Sequence, residues 1–233
     1  MVDLTTEMAG LWAALGPAPA HRGRVILFAA AQTGEGVSTV AREFARMAAV
    51  RGRRPVWLVD GDLSQQSQLN QVGAEPERFG RLGPSVQASP DGSAFYVVTP
   101  PMRGRDGKPV APGQLMTAKA CLGGRLYVTH FHNEVLRAGQ RVEAVNDPRY
   151  WTRLRAHADT IIIDAPAADR SDMILTLAPL VDMTVLVVAA ETTDASGPVA
   201  LREEINAQGG RIAGVVMNRS KWQPPALLKR FIG

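Results

Sequence analysis

Three aspartates and a glycine-rich turn hold the chemistry open to this sequence. Residues 31–39 read AQTGEGVST, which places Gly34 and Gly36 just ahead of Ser38 and Thr39. Glycines at this spacing let backbone N–H groups close on a phosphate. In the full pattern G-x-x-x-x-G-K-S/T, a lysine adds charge at the β/γ oxygens and the hydroxyl binds Mg²⁺. Val37 stands at the lysine position. Asp60 and Asp62 follow the apolar run in VWLVDGDL (56–63), and Asp164 follows the one in TIIIDAP (160–166). A metal nucleotide needs one or two carboxylates for Mg²⁺ and a group that orients the nucleophile. Any one of these aspartates also suits a turn or a helix N-cap. Their order behind a glycine turn is what points to nucleotide chemistry.

These residues must be positioned by strands that end where the chemistry begins. The continuous apolar run 25–30 reads as a buried parallel strand leading into the glycine turn, and apolar positions Val40, Phe44, Met47 and Ala48 give a helix over 38–51. Further strands are predicted at 56–59, 95–99, 125–131, 160–163, 184–188 and 212–217. Helices are predicted at 5–15, 150–157, 171–178 and 198–208. Strands alternating with helices imply an α/β, doubly wound, mostly parallel sheet, whose carboxyl edge faces the ligand crevice. The organisation expected is an N-terminal helix and linker (1–20) and a single domain (21–233), with a Gly/Pro-rich insertion at about 73–124.

The 233 residues suit a single α/β domain of ordinary size. Net charge is +4, carried mainly by arginines scattered along the chain, which gives a solvated basic surface rather than a polybasic tail. Nucleic acid is therefore not the expected partner. One cysteine, Cys121, excludes an intrachain disulfide and a thiolate zinc site, and fits a cytoplasmic protein. The first 15 residues carry Asp3 and Glu7 and lack a secretory signal's basic start. No apolar run approaches the roughly 20 residues needed to span a bilayer. His130 and His132 alternate on one face of a predicted strand. No carboxylate partner is identifiable by spacing, so they read as a surface pair.

On these motifs the chain resembles the chromosome-partitioning and septum-site P-loop ATPases, and within them the bacterial tyrosine kinases of capsule and exopolysaccharide synthesis. Residues 30–39 are similar to the kinase Walker A, whose common form ends P-G-E-G-K-S-T. Residues 56–63 resemble the second acidic motif hhhhDxDL, and 160–166 the Walker B segment VIIDTPP. LAPLVD (177–182) and GVVMNR (214–219) resemble later landmarks. The resemblance implies a P-loop NTPase-like fold and ATP or ADP with Mg²⁺ as cofactor. It implies a phosphate cradle of Gly34, Glu35, Gly36, Val37, Ser38 and Thr39. Ser38, Asp60 and Asp164 would serve the metal, and Asp60, Asp62 and Asp164 the catalytic chemistry. Asn218 and Arg219 would lie beside the base. It also implies a membrane-spanning polysaccharide co-polymerase or chain-length protein as partner, with self-association and a peripheral place at the inner membrane.

The sequence departs from that pattern chiefly in its cations. Val37 replaces the Walker lysine, and Gln32 stands where the partitioning ATPases carry a second lysine. Arg42 and Arg46 follow Val37 by about one and a half to two and a half helical turns, and are expected to point away from the loop. SQQS (64–67) replaces the arginines and proline of the kinases, and the tail 224–233 has no tyrosine. Losing one cationic contact costs about 3 kcal/mol of barrier in phosphoryl chemistry, whereas a helix N-terminus still attracts an anion. The expectation is weak nucleotide binding without efficient turnover, in a regulatory partner. Two alternatives are an active ATPase or kinase with a cation supplied in trans, and a positioning ATPase binding membrane or DNA. The tail's Leu227, Leu228, Phe231 and Ile232 read as a last packed helix or a very short amphipathic anchor.

Overall fold

The computed structural model describes residues 4–104, 107–191 and 194–219. The tail that carries the anchor reading lies outside them. In chain order the strands are β1 (Arg24–Ala29), β2 (Val56–Asp60), β3 (Ser85–Gln87), β4 (Tyr96–Thr99), β5 (Met116–Cys121), β6 (Leu126–Phe131), β7 (Arg141–Ala144), β8 (Thr160–Asp164), β9 (Met183–Ala189) and β10 (Ile212–Asn218). The helices are α1 (Thr5–Leu15), α2 (Val37–Arg51), α3 (Gln68–Ala74), α4 (Pro76–Phe79), α5 (Arg149–Arg155), α6 (Met173–Leu177) and α7 (Ser196–Ala207).

Eight strands form one sheet in the order β10-β9-β1-β8-β2-β6-β5-β3. From β10 to β6 all neighbours are parallel. The apolar runs of β1, β2 and β8 are buried on both faces, as a sheet covered by helices on each side requires. Alternation splits β1 between two layers. Ile26 and Phe28 pack towards Val40 and Phe44 of α2 and Met8 of α1. Val25 and Leu27 face Trp151 and Leu154 of α5, Ile174 of α6 and Leu201 of α7. The N-terminal helix is thus part of the domain's packing, with Arg51 lying 5.0 Å over the Trp12 ring.

The segment 73–124 contains strands that the sequence reading did not name. It is built into the sheet, because β5 pairs antiparallel with β6 and β3 antiparallel with β5. Gly123 and Gly124, at φ +64° and +86°, make the turn that folds β5 back on β6. The predicted strand at 95–99 exists as β4, but it pairs with β7 in a separate two-stranded sheet. Helices α3 and α4 also lie where no element was expected.

Candidate functional site

Parallel register brings the acidic motifs together: Asp60 sits opposite Asp164 where β2 and β8 end. The glycine turn leaves β1 on the neighbouring side and opens α2. Gly36 is the N-cap of α2, at φ +89°, and no side chain caps the helix, so the N–H groups of Val37 and Ser38 are left for a ligand, while the Thr39 N–H donates to the Gly36 carbonyl at 3.1 Å. A Cβ at Gly36 would lie 2.1 Å from Asn218 Nδ2, so only glycine fits there.

Three side chains hold the turn in shape. Asn218 Nδ2 donates to the Glu35 carbonyl at 2.8 Å. The Glu35 carboxylate is buried and accepts from the N–H of Gln32 at 2.9 Å and of Ala189 at 3.3 Å. Asp169 accepts from both the N–H and the hydroxyl of Thr33, each at 2.9 Å. Gly34, Glu35, Gly36, Val37, Ser38, Thr39, Asp60, Asp62, Asp164 and Arg219 all line one cavity of about 260 Å³. Asn218 acts from behind the turn, as a brace. Val37 is 7% exposed and packs with the α2 core, so the lysine position has become part of the apolar interior.

The carboxylates differ in state. Burial, and then the charge of Asp164, push the Asp60 pKa up to about 7. Burial likewise raises Asp164 to about 6, against the Gln68 amide, the Ser38 hydroxyl and the charge of Arg42. Asp62 is half-buried, but the N–H of Gln65, the Ser64 hydroxyl and Arg170 outweigh that burial and hold its carboxyl below the usual range.

Gln68, which the sequence motifs did not mark, links the acidic pair. Its backbone N–H donates to Asp60 Oδ2 at 2.9 Å. Its side-chain Nε2 donates to Asp164 Oδ2 at 2.6 Å and to the Ser38 carbonyl at 2.9 Å. Arg42 corrects the sequence reading: its side chain is 8% exposed and donates to Gln68 Oε1 at 3.3 Å. It follows Ser38 by four residues, so it shares that residue's helix face, and its charge acts on Asp164. Arg46 does point away, to Glu43 and the Thr5 hydroxyl. Among the described residues, the cations on the cavity wall are Arg219 and Arg170. Arg170 leaves β8 six residues after Asp164 and pairs with Asp62 at 2.9 Å. That ion pair stands between the phosphate cavity and a larger one of about 680 Å³, which Asp62, Pro166 and Arg170 also line.

These residues fit Mg²⁺ with nucleotide. Asp164 Oδ1 is buried and accepts no hydrogen bond from the described residues, and the Ser38 side chain acts on the same carboxyl group. Ser38 and Asp164 would hold the ion, whose charge would satisfy the orphaned acceptor.

A glycine turn feeding α2, with acidic strand ends beside it in a parallel sheet, defines the class: this is a P-loop α/β fold. Solved structures narrow the likeness. The VpsO kinase domain aligns over 85% of this chain and 86% of its own, at TM-score 0.57 and 18% identity. The kinase domain of the Escherichia coli tyrosine kinase ETK covers 95% of this chain and 75% of its own, at TM-score 0.59 and 14% identity. The septum site-determining protein MinD of Pyrococcus horikoshii OT3, solved with Mg-ADP, covers 90% and 77%, at TM-score 0.54 and 18% identity. No protein-family model matches the chain, and no curated protein matches its sequence. The fold is therefore that of bacterial tyrosine kinase domains and MinD-type ATPases.

Proposed function

We propose that this chain is a tyrosine-kinase-like P-loop protein of exopolysaccharide or capsule synthesis and export that binds Mg-nucleotide weakly and turns it over little. It would act as a cytoplasmic regulatory partner of a membrane-spanning polysaccharide co-polymerase. Val37 carries this reading: an aliphatic side chain, folded into the core, occupies the position from which a lysine would reach the β/γ oxygens. A preformed glycine turn at a helix N-terminus supports retained anion binding. The kinase domains VpsO and ETK support the assignment to tyrosine-kinase-like proteins through fold. The polysaccharide setting and the partner rest on the motif resemblance.

The test is Mg-ADP and Mg-ATP binding by calorimetry, beside a phosphate-release assay on the purified chain. Binding without release is expected, with Val37→Lys tightening binding. Release by the native chain that disappears in Asp60→Ala overturns the reading. Co-purification with a co-polymerase encoded nearby tests the partner. A second reading, an active ATPase or kinase, is favoured by Arg170 on the cavity wall, where it could supply the missing charge. Turnover lost in Arg170→Ala would establish it.

A further inference from the structure

The end of β6 gathers three groups that the nucleotide site does not use. His130 and His132 extend along one face, and Glu134 follows in the short turn Asn133–Val135. A nitrogen of each imidazole and a carboxylate oxygen all lie within 4.8 Å of one another. The structure thus supplies the carboxylate that sequence spacing did not reveal, because strand alternation ends where the chain turns.

Both nitrogens of one histidine have a polar neighbour. Thr117 Oγ1 lies 3.0 Å from His132 Nε2, and Glu134 Oε1 lies 2.7 Å from His132 Nδ1. In the tautomer whose Nε2–H donates to Thr117, Nδ1 keeps its lone pair beside the carboxylate, and a cation can take the place that a proton holds between them in the other tautomer. An outer hydrogen bond to the nitrogen that does not bind is the usual support of a metal-binding imidazole. The His130 and His132 rings stand nearly perpendicular, 5.0 Å apart. The His132 and Glu134 side chains are 32% and 59% exposed, so an ion can enter and the side chains can close on it.

We propose that His130, His132 and Glu134 form a binding site for one divalent transition-metal ion, Zn²⁺ in preference to Mg²⁺ or Ca²⁺. Two imidazoles and one carboxylate suit a borderline cation, whereas the hard cations favour oxygen alone. Three protein ligands leave a fourth position for water. The site adjoins the acidic loop: Asn133 Nδ2 donates to the Ser64 carbonyl at 3.0 Å, and Gln66 bonds both backbone groups of Phe131. A bound ion therefore braces the end of β6 against that loop.

The test uses the full chain without an affinity tag, stripped with a chelator. Zn²⁺ is titrated against a chromophoric competitor, and Co²⁺ is followed by its visible absorption. One equivalent is expected to bind, with a Co²⁺ spectrum of low coordination number and a raised melting temperature. His130→Ala and His132→Ala should abolish it. Thr117→Val, which leaves the ligands in place, should weaken it by about 10- to 100-fold. Lys119→Ala should tighten it, since the Lys119 charge reaches His130. His157→Ala should leave it unchanged. Absence of binding to the native chain, or stoichiometric binding that survives His132→Ala, overturns the proposal.

Discussion

The parallel half of the sheet and its antiparallel wing follow different rules. In β1, β2 and β8 every residue is buried, and the strands end in the groups that define the cavity. In the wing, β3 is exposed throughout, and β5 is only partly buried along its length. Burial on both faces removes water from the strand ends, and that is why Asp60 and Asp164 lose acidity while the carboxylates of exposed turns do not. The site's electrostatics are a product of the sheet's covering. The wing's histidines, by contrast, are placed by hairpin pairing and stay open to solvent.

The sharpest way to break this contrast is to cut into each half. Phe28→Ala, at a fully buried β1 position against Phe44, should cost about 3–5 kcal/mol of unfolding free energy in urea titration. Gln68→Ala leaves Asp164 and the Ser38 carbonyl without their amide. It should cost about 1–3 kcal/mol in the absence of ligand and strengthen Mg²⁺ binding measured by calorimetry. Loss of stability with no change in Mg²⁺ affinity would show Gln68 to be purely a structural link.

Proton linkage gives a third expectation. Asp60 and Asp164 hold their protons in the folded chain up to about pH 7 and about pH 6, but only to about pH 4 when unfolded. Folding then takes up protons in this window, so their contribution is complete below about pH 4 and lost as pH rises through 6 and 7. The urea midpoint should be lower at pH 8 than at pH 5.5, and Asp60→Asn should narrow the gap. Mg²⁺ affinity should move the opposite way, since the ion needs both carboxylates charged. The smallest effect belongs to the wing, where Val86→Ala at a 42% exposed position should change stability by no more than about 0.5 kcal/mol.

Legibility in the sequence follows the same division. Continuous apolar runs announce strands covered on both sides, and an aspartate directly after such a run falls at the sheet's carboxyl edge. Residues 116–121, MTAKAC, lack the β-branched alternation of a strand, and their pairing depends on the Gly123-Gly124 turn and on β6. Gln68 could not be found by motif, because a glutamine's partners are set by how α3 is docked. Counting turns along α2 places Arg42 away from the loop, whereas the four-residue step from Ser38 fixes its face. Arg170 carried a usable signal in its closeness to the end of β8.

The glycine turn is tethered at both flanks, by Asp169 to Thr33 on one side and by Asn218 to Glu35 on the other. A visiting phosphate meets a cradle that already has its bound shape, and little chain entropy is surrendered on contact. Encounter should therefore be quick, and the missing lysine should show itself in how soon the nucleotide leaves.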